Sequence, residues 1–231
     1  MLTVFDPLQT SVAALDVMAA TPADPAQLAE IQRIRLKHLL ATARKRSPWW
    51  RARLNGLPDD APLHTLPTTQ RSELMAHFDD WVGDGALNLA QLHAYVADPR
   101  NIAQPYLGRY MVWESSGSGG APGLFVQDAT AMAVYDALEA QRRSPLRPLQ
   151  RWCDPLYLSE RLAFVGATNG HFASYVSVQR LCQLNPWLAP RLQSFSILQA
   201  MPELLAQLKH FAPTILATYP SVAAVLADQA E

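Results

Sequence analysis

The chain is short of most features that would place it in a class at once. Cysteine is nearly absent: Cys153 and Cys182 are the only two in 231 residues. There is no Cys-x-x-Cys and no pair of histidines at ligand spacing, which argues against a disulfide framework or a zinc site and fits a reducing cytoplasm. An excess of either charge is missing too, since 19 Lys+Arg stand against 20 Asp+Glu, a formal net charge of −1. That balance removes the electrostatic case for nucleic acid or an anionic membrane as partner. No uncharged apolar run is long enough to span a bilayer, and the segment Met1–Pro7 lacks the basic start and apolar core of a signal peptide. Neither a repeat of fixed period nor any low-complexity segment beyond one Ser/Gly cluster is present.

What is present is a chain that is 49% hydrophobic with 18 prolines. This is enough apolar matter for one substantial core broken by many short connections, and a single α/β domain is the expectation. Residues 1–100 read as mostly helical. Leu8 to Ala20 is weakly helical, and Asp24-Pro25 offers an N-cap and a first-turn proline for a helix running to about Arg46. Leu28, Ile31, Leu36, Leu39, Leu40 and Ala43 share one face of that helix, which predicts packing against the domain. Arg44-Lys45-Arg46 reads as cations complementing the helix end, with an anion patch as the alternative. Trp49-Trp50 reads as packing rather than a binding platform. Thr69 or Ser72 is available to cap a short helix, and Leu89 to Val96 predicts another, broken by Asp98-Pro99.

Residues 101–231 alternate. The apolar runs Tyr110–Trp113 and Leu124–Val126 predict two strands. Asp128 can cap a helix to about Arg143 with Met132, Tyr135 and Leu138 turned inward. Arg161–Gly166 predicts a buried strand, and helices near 174–183 and 202–210 alternate with strands over Phe195–Leu198 and Thr214–Ala217. Ser221 is the expected cap of a last helix. Such alternation argues for an α/β layer around a largely parallel sheet.

Between the first two strands lies Glu114-Ser115-Ser116-Gly117-Ser118-Gly119-Gly120-Ala121-Pro122-Gly123. Its glycines let consecutive N–H groups face one side, and the hydroxyls of Ser115, Ser116 and Ser118 add donors, a combination that suits phosphate oxygens. It is neither a Walker loop, for want of Gly-Lys at the required spacing, nor a nucleophile elbow, because Ser116 stands where Gly-x-Ser-x-Gly needs its first glycine. A flexible hairpin connection or a Gly/Ser linker is the plain alternative.

The order Ser-Ser-Gly-Ser-Gly-Gly-x-Pro resembles the Ser/Thr/Gly-rich loop of the adenylate-forming (AMP-binding) enzymes. The branch it looks most like is that of phenylacetate-CoA ligase and coenzyme F synthetase. Ser47-Pro48-Trp49-Trp50-Arg51, the segment Leu66–Leu74 and the segment Phe211–Ser221 are similar to that branch as well. The resemblance implies that the chain is the front portion of the large N-terminal domain of such an enzyme, with the C-terminal domain absent.

It implies an ATP-dependent ligase that activates an aryl or acyl carboxylate as acyl-AMP and passes it to CoA. ATP and Mg²⁺ are the implied cofactors, with CoA as the acceptor. On this likeness Ser115, Ser116, Gly117, Ser118, Gly119 and Gly120 hold the nucleotide phosphates, Ser116 and Ser118 through their hydroxyls. His171 and Phe172 are implied to contact the acyl substrate. The ordinary reading of His171 is an imidazole satisfying a loop carbonyl beside a core phenylalanine. Two positions depart from the family pattern: Gly119 replaces a hydroxyl residue and Ala121 replaces a lysine, and both changes weaken phosphate binding. The residues assign no catalytic group and no metal ligand. The competing expectation is a truncated, inactive homologue serving as a binding or partner module, and a second polypeptide or self-association could complete the domain.

Overall fold

The computed structural model describes residues 4–115, 122–143, 154 and 158–229. The chain is mixed α/β, with two small sheets among helices. Helices α1 (Pro7–Ala20), α2 (Pro25–Arg46), α3 (Pro48–Arg53), α4 (Arg71–Ala76), α5 (Phe78–Trp81) and α6 (Leu89–Val96) precede a hairpin of β1 (Met111–Glu114) and β2 (Leu124–Gln127). Then come α7 (Ala129–Arg143), β3 (Leu162–Gly166), α8 (Ala173–Leu184), β4 (Leu192–Ser196), α9 (Met201–Phe211), β5 (Ile215–Thr218) and α10 (Pro220–Asp228).

The hairpin is antiparallel, with Val112 opposite Val126 and Glu114 opposite Leu124. The second sheet is parallel in the order β4-β3-β5. Its central strand is buried at all five positions, as an apolar strand covered on both faces should be. Ala163 and Val165 join Phe195, Leu204, Leu208, Phe211 and Leu226 in one core, so α9 and α10 cover that face. The hairpin has its own core against α5 and α6, built on Phe78, Leu92, Val112 and Leu124.

Several local expectations need correction. Leu40 alone is buried on α2, while Leu39 is 64% exposed and Leu28 lies open. Leu36 and Ala43 are half-buried against the cluster of Leu40, Leu54 and Ala61, and Ile31 is half-buried too, so the expected face packs in part. Leu138 of α7 also lies in solvent, whereas Met132 is buried. Neither Thr69 nor Ser72 caps α4, whose N-cap is Gln70, and Ser221 lies inside α10, which begins at Pro220 after Tyr219. The strand expected at 195–198 is displaced to Leu192–Ser196, because it pairs along the whole of β3.

Other expectations match what is observed. Asp24 and Gln27 form a reciprocal capping box on α2, and the Asp128 carboxylate accepts from the Ala131 N–H at 2.9 Å. Trp50 packs near Leu40 and Leu54, with Trp49 edge-on to it at 4.6 Å. Arg44 is spent differently from expectation: its guanidinium donates to the Leu57 carbonyl at 2.6 Å and pairs with Asp59. The α2 carbonyls of Arg44 and Lys45 are instead capped by Arg51, at 2.9 and 3.1 Å.

Candidate functional site

The hairpin's open end is closed by one serine. After the Glu114–Leu124 pair, the Ser115 N–H donates to the Gly123 carbonyl at 2.9 Å, and the Gly123 N–H donates to Ser115 Oγ at 2.8 Å. The Ser115 hydroxyl therefore spends acceptor capacity on fixing the mouth of the loop and keeps its proton free to donate outward. Ser116, Gly117, Ser118, Gly119 and Gly120, the other expected phosphate contacts, lie outside the described residues, as does Cys153.

The sequence gives no cation inside the loop, yet the structure brings one to it. Arg71, at the start of α4, donates through Nη1 to Ser115 Oγ at 3.3 Å from 44 residues away. Its aliphatic stem lies on Gly123: a Cβ there would stand 2.9 Å from Arg71 Cδ. The absence of a side chain at Gly123 is thus what admits the arginine. Its helix is held by Arg53, which pairs with Glu73 at 2.8 Å and donates to the Thr68 carbonyl at 2.6 Å. Among the described residues Arg71 makes no ion pair. A half-buried guanidinium without a carboxylate beside a hydroxyl suits a planar anionic group. The sequence signal for it is Arg71 beside the expected start of the short helix at Thr69–Ser72, a cation at the helix start.

The opposite wall of the mouth is tied to the parallel sheet. The Glu114 N–H donates to the His171 carbonyl at 2.8 Å, and the His171 N–H donates to Glu114 Oε1 at 2.7 Å. Glu114 and Phe172 form a parallel bridge. Gly170 makes room for this contact, since a Cβ there would meet Glu114 Oε1 at 2.2 Å and the carboxylate would have to move. Residues 167–172 leave the carboxyl end of β3, the strand on whose two sides β4 and β5 lie. Ligands of open parallel α/β sheets gather at carboxyl ends where strand order reverses, and the loop mouth abuts that end.

His171 is 1% exposed. Its ring packs 5.5 Å from that of Tyr95, whose hydroxyl donates to the carbonyls of Asn101 and Gln104 and whose pKa burial pushes up to about 12. Burial holds the His171 pKa below its ordinary value, against the opposing pull of Glu114 and of the carbonyls of Asp98 and Val112. Those carbonyls favour the protonated ring, but among the described residues Nε2 has no hydrogen-bond partner, and burial outweighs them in favour of the neutral form. Phe172 is half-buried beside Gly170. The two residues are neighbours of the loop mouth through Glu114, and the imidazole faces the packing of α6 rather than solvent.

Among the described residues no three of His, Cys, Asp and Glu are placed to hold a metal ion, and no helix is long and apolar enough to cross a membrane. No protein-family model, no curated protein and no solved structure matches the chain.

Proposed function

We propose that the chain binds the phosphates of ATP at the 115–123 loop as the front portion of an adenylate-forming ligase domain. In that role it works in the cytoplasm on an aryl or acyl carboxylate. The reading is supported above all by Arg71, which supplies from α4 the positive charge that Ala121 withholds from the loop. It is supported also by Glu114, which ties the mouth of the loop to His171 just beyond the carboxyl end of β3.

In adenylation a carboxylate oxygen attacks the α-phosphorus of ATP, the bond to pyrophosphate breaks, and the acyl-AMP passes its acyl group to the thiol of CoA. The part assigned to this chain is orientation of the departing pyrophosphate. Ser116 and Ser118 donate hydroxyls, Gly117, Gly119 and Gly120 donate amides, and Arg71 offsets the charge that develops on the leaving group. Mg²⁺ enters as the ion that ATP carries.

Calorimetric titration of the 231-residue chain with Mg·ATP and with pyrophosphate tests this. Arg71→Ala should weaken binding about 10–100-fold, the worth of one charged hydrogen bond, and Ser116→Ala with Ser118→Ala should do likewise. Gly123→Ala should act in the same direction by pushing the Arg71 stem away while leaving its charge in place. A folded chain that binds neither ligand would overturn the proposal in favour of a partner module.

A further inference from the structure

Two side chains of opposite charge meet the loop mouth and are not spent on each other. Arg71 reaches Ser115 Oγ at 3.3 Å, and Glu114, one residue earlier in the chain, accepts the His171 N–H on Oε1 at 2.7 Å. Among the described residues neither makes an ion pair, and Glu114 Oε2 accepts no hydrogen bond. Glu114 is half-buried, so its carboxylate has given up part of its hydration without gaining a cation. The ligand that satisfies both groups is negative toward α4 and positive toward the carboxyl end of β3. A metal-bound polyphosphate has that pattern.

We propose that Glu114 binds the Mg²⁺ of Mg·ATP through Oε2, while Arg71 and Ser115 take phosphate oxygens. The inference rests on the reading of the loop as a site for ATP and adds the residue that receives the metal. Mg²⁺ is commonly held by one or two carboxylates together with substrate phosphates and waters, so a cage of three protein ligands is not needed.

The carboxylate also has the outer support that metal ligands have. The His171 N–H fixes Oε1, and the Glu114 N–H donates back to the His171 carbonyl at 2.8 Å. Gly170 leaves the space in which Oε1 sits. With no cation bound, Glu114 repels the phosphates that Arg71 attracts, because like charges a few ångströms apart outside bulk water interact strongly. Glu114 therefore makes binding depend on the metal.

Calorimetry on the full chain with Mg·ATP, and with ATP in excess EDTA, tests this. Wild type should bind Mg·ATP at least about tenfold more tightly than metal-free ATP. Glu114→Gln keeps an oxygen for the His171 N–H and removes the charge. It should weaken Mg·ATP by about tenfold and bind metal-free ATP as tightly as wild type or more so. A Glu114 that only held the loop in place would instead move both ligands in the same direction. A readout that needs no variant is paramagnetic broadening: Mn·ATP should broaden the His171 amide signal of wild type, where Mg·ATP leaves it sharp. Wild type that binds both forms of ATP equally would overturn the inference and leave the ATP reading standing. So would a Glu114→Gln chain with the full metal preference, or a His171 signal untouched by bound Mn·ATP. A folded chain that binds neither form would overturn both.

Discussion

Strand β3 and the helix pair α1–α2 are the extremes of this molecule. The strand has five residues and all are buried, whereas the two helices span 14 and 22 residues and contain one buried side chain, Leu40. Their elements arise from different causes. The strand is apolar along its whole length and exists because helices cover both faces. The helices are written locally, by Asp6 with Pro7 and by the Asp24–Gln27 box with Pro25, and they bury few side chains fully although α1 packs on α7 and α2 on α3. Local signals can set a helix and its ends, but burial needs a neighbour.

Four substitutions and one pH series would break or sharpen that contrast. The largest effect is expected at β3, where Phe164 is 5% exposed and its ring lies over Gly166. Phe164→Ala should cost about 3–5 kcal/mol of unfolding free energy, and a urea midpoint close to wild type would undo the view of β3 as the centre of the core. Gly170→Ala comes next. Glu114 can swing away from the new methyl, but the His171 N–H then loses its acceptor, at a cost of about 1–3 kcal/mol. Amide exchange at His171 should accelerate in step.

The same junction has a pH signature. The folded-state pKa of His171 is depressed from 6.5 by burial, so the unfolded chain binds more protons below that pH. This contribution to stability is present above pH 6.5 and is lost as pH falls through the folded value. His171→Leu should flatten the slope in that window, and a slope identical to wild type would locate the titration elsewhere.

On the helical side the effects are smaller. Asp24→Ala removes the N-cap of α2 and should cost about 1 kcal/mol, visible as lost amide protection in the first half of α2 with the β3 amides unmoved. Equal loss in both would show that α2 and the sheet unfold as one unit. Leu39→Ala, at a residue 64% exposed, should change stability by no more than about 0.5 kcal/mol, and a core-sized loss would reveal cover for α2 from another molecule.

Element types were largely legible because they rest on local chemistry. The helices at 25–46, 89–96 and 129–143 and the strand at 162–166 follow from caps, prolines and apolar runs. The inward face of α2 holds at Ile31, Leu36, Leu40 and Ala43 but not at Leu28 and Leu39, because periodicity names the residues able to pack, not whether anything stands opposite each one. Ser221 was misjudged as a cap because the proline before it takes the first helical position, so the helix starts two residues earlier than a Ser221 cap would set it.

At the candidate site the contrast is the same. Composition alone marked the 115–123 loop as suited to anions and Ser115 as part of it. That Ser115 locks the loop mouth, that Arg71 arrives from 44 residues upstream through the space left at Gly123, and that Glu114 ties the loop to His171 were decided by the tertiary structure. Composition and spacing act within a few residues of chain, and they determined the loop and the helices. Contacts between residues 44 and 57 positions apart depend on how separate elements pack, and only the folded chain brings those groups within hydrogen-bond reach.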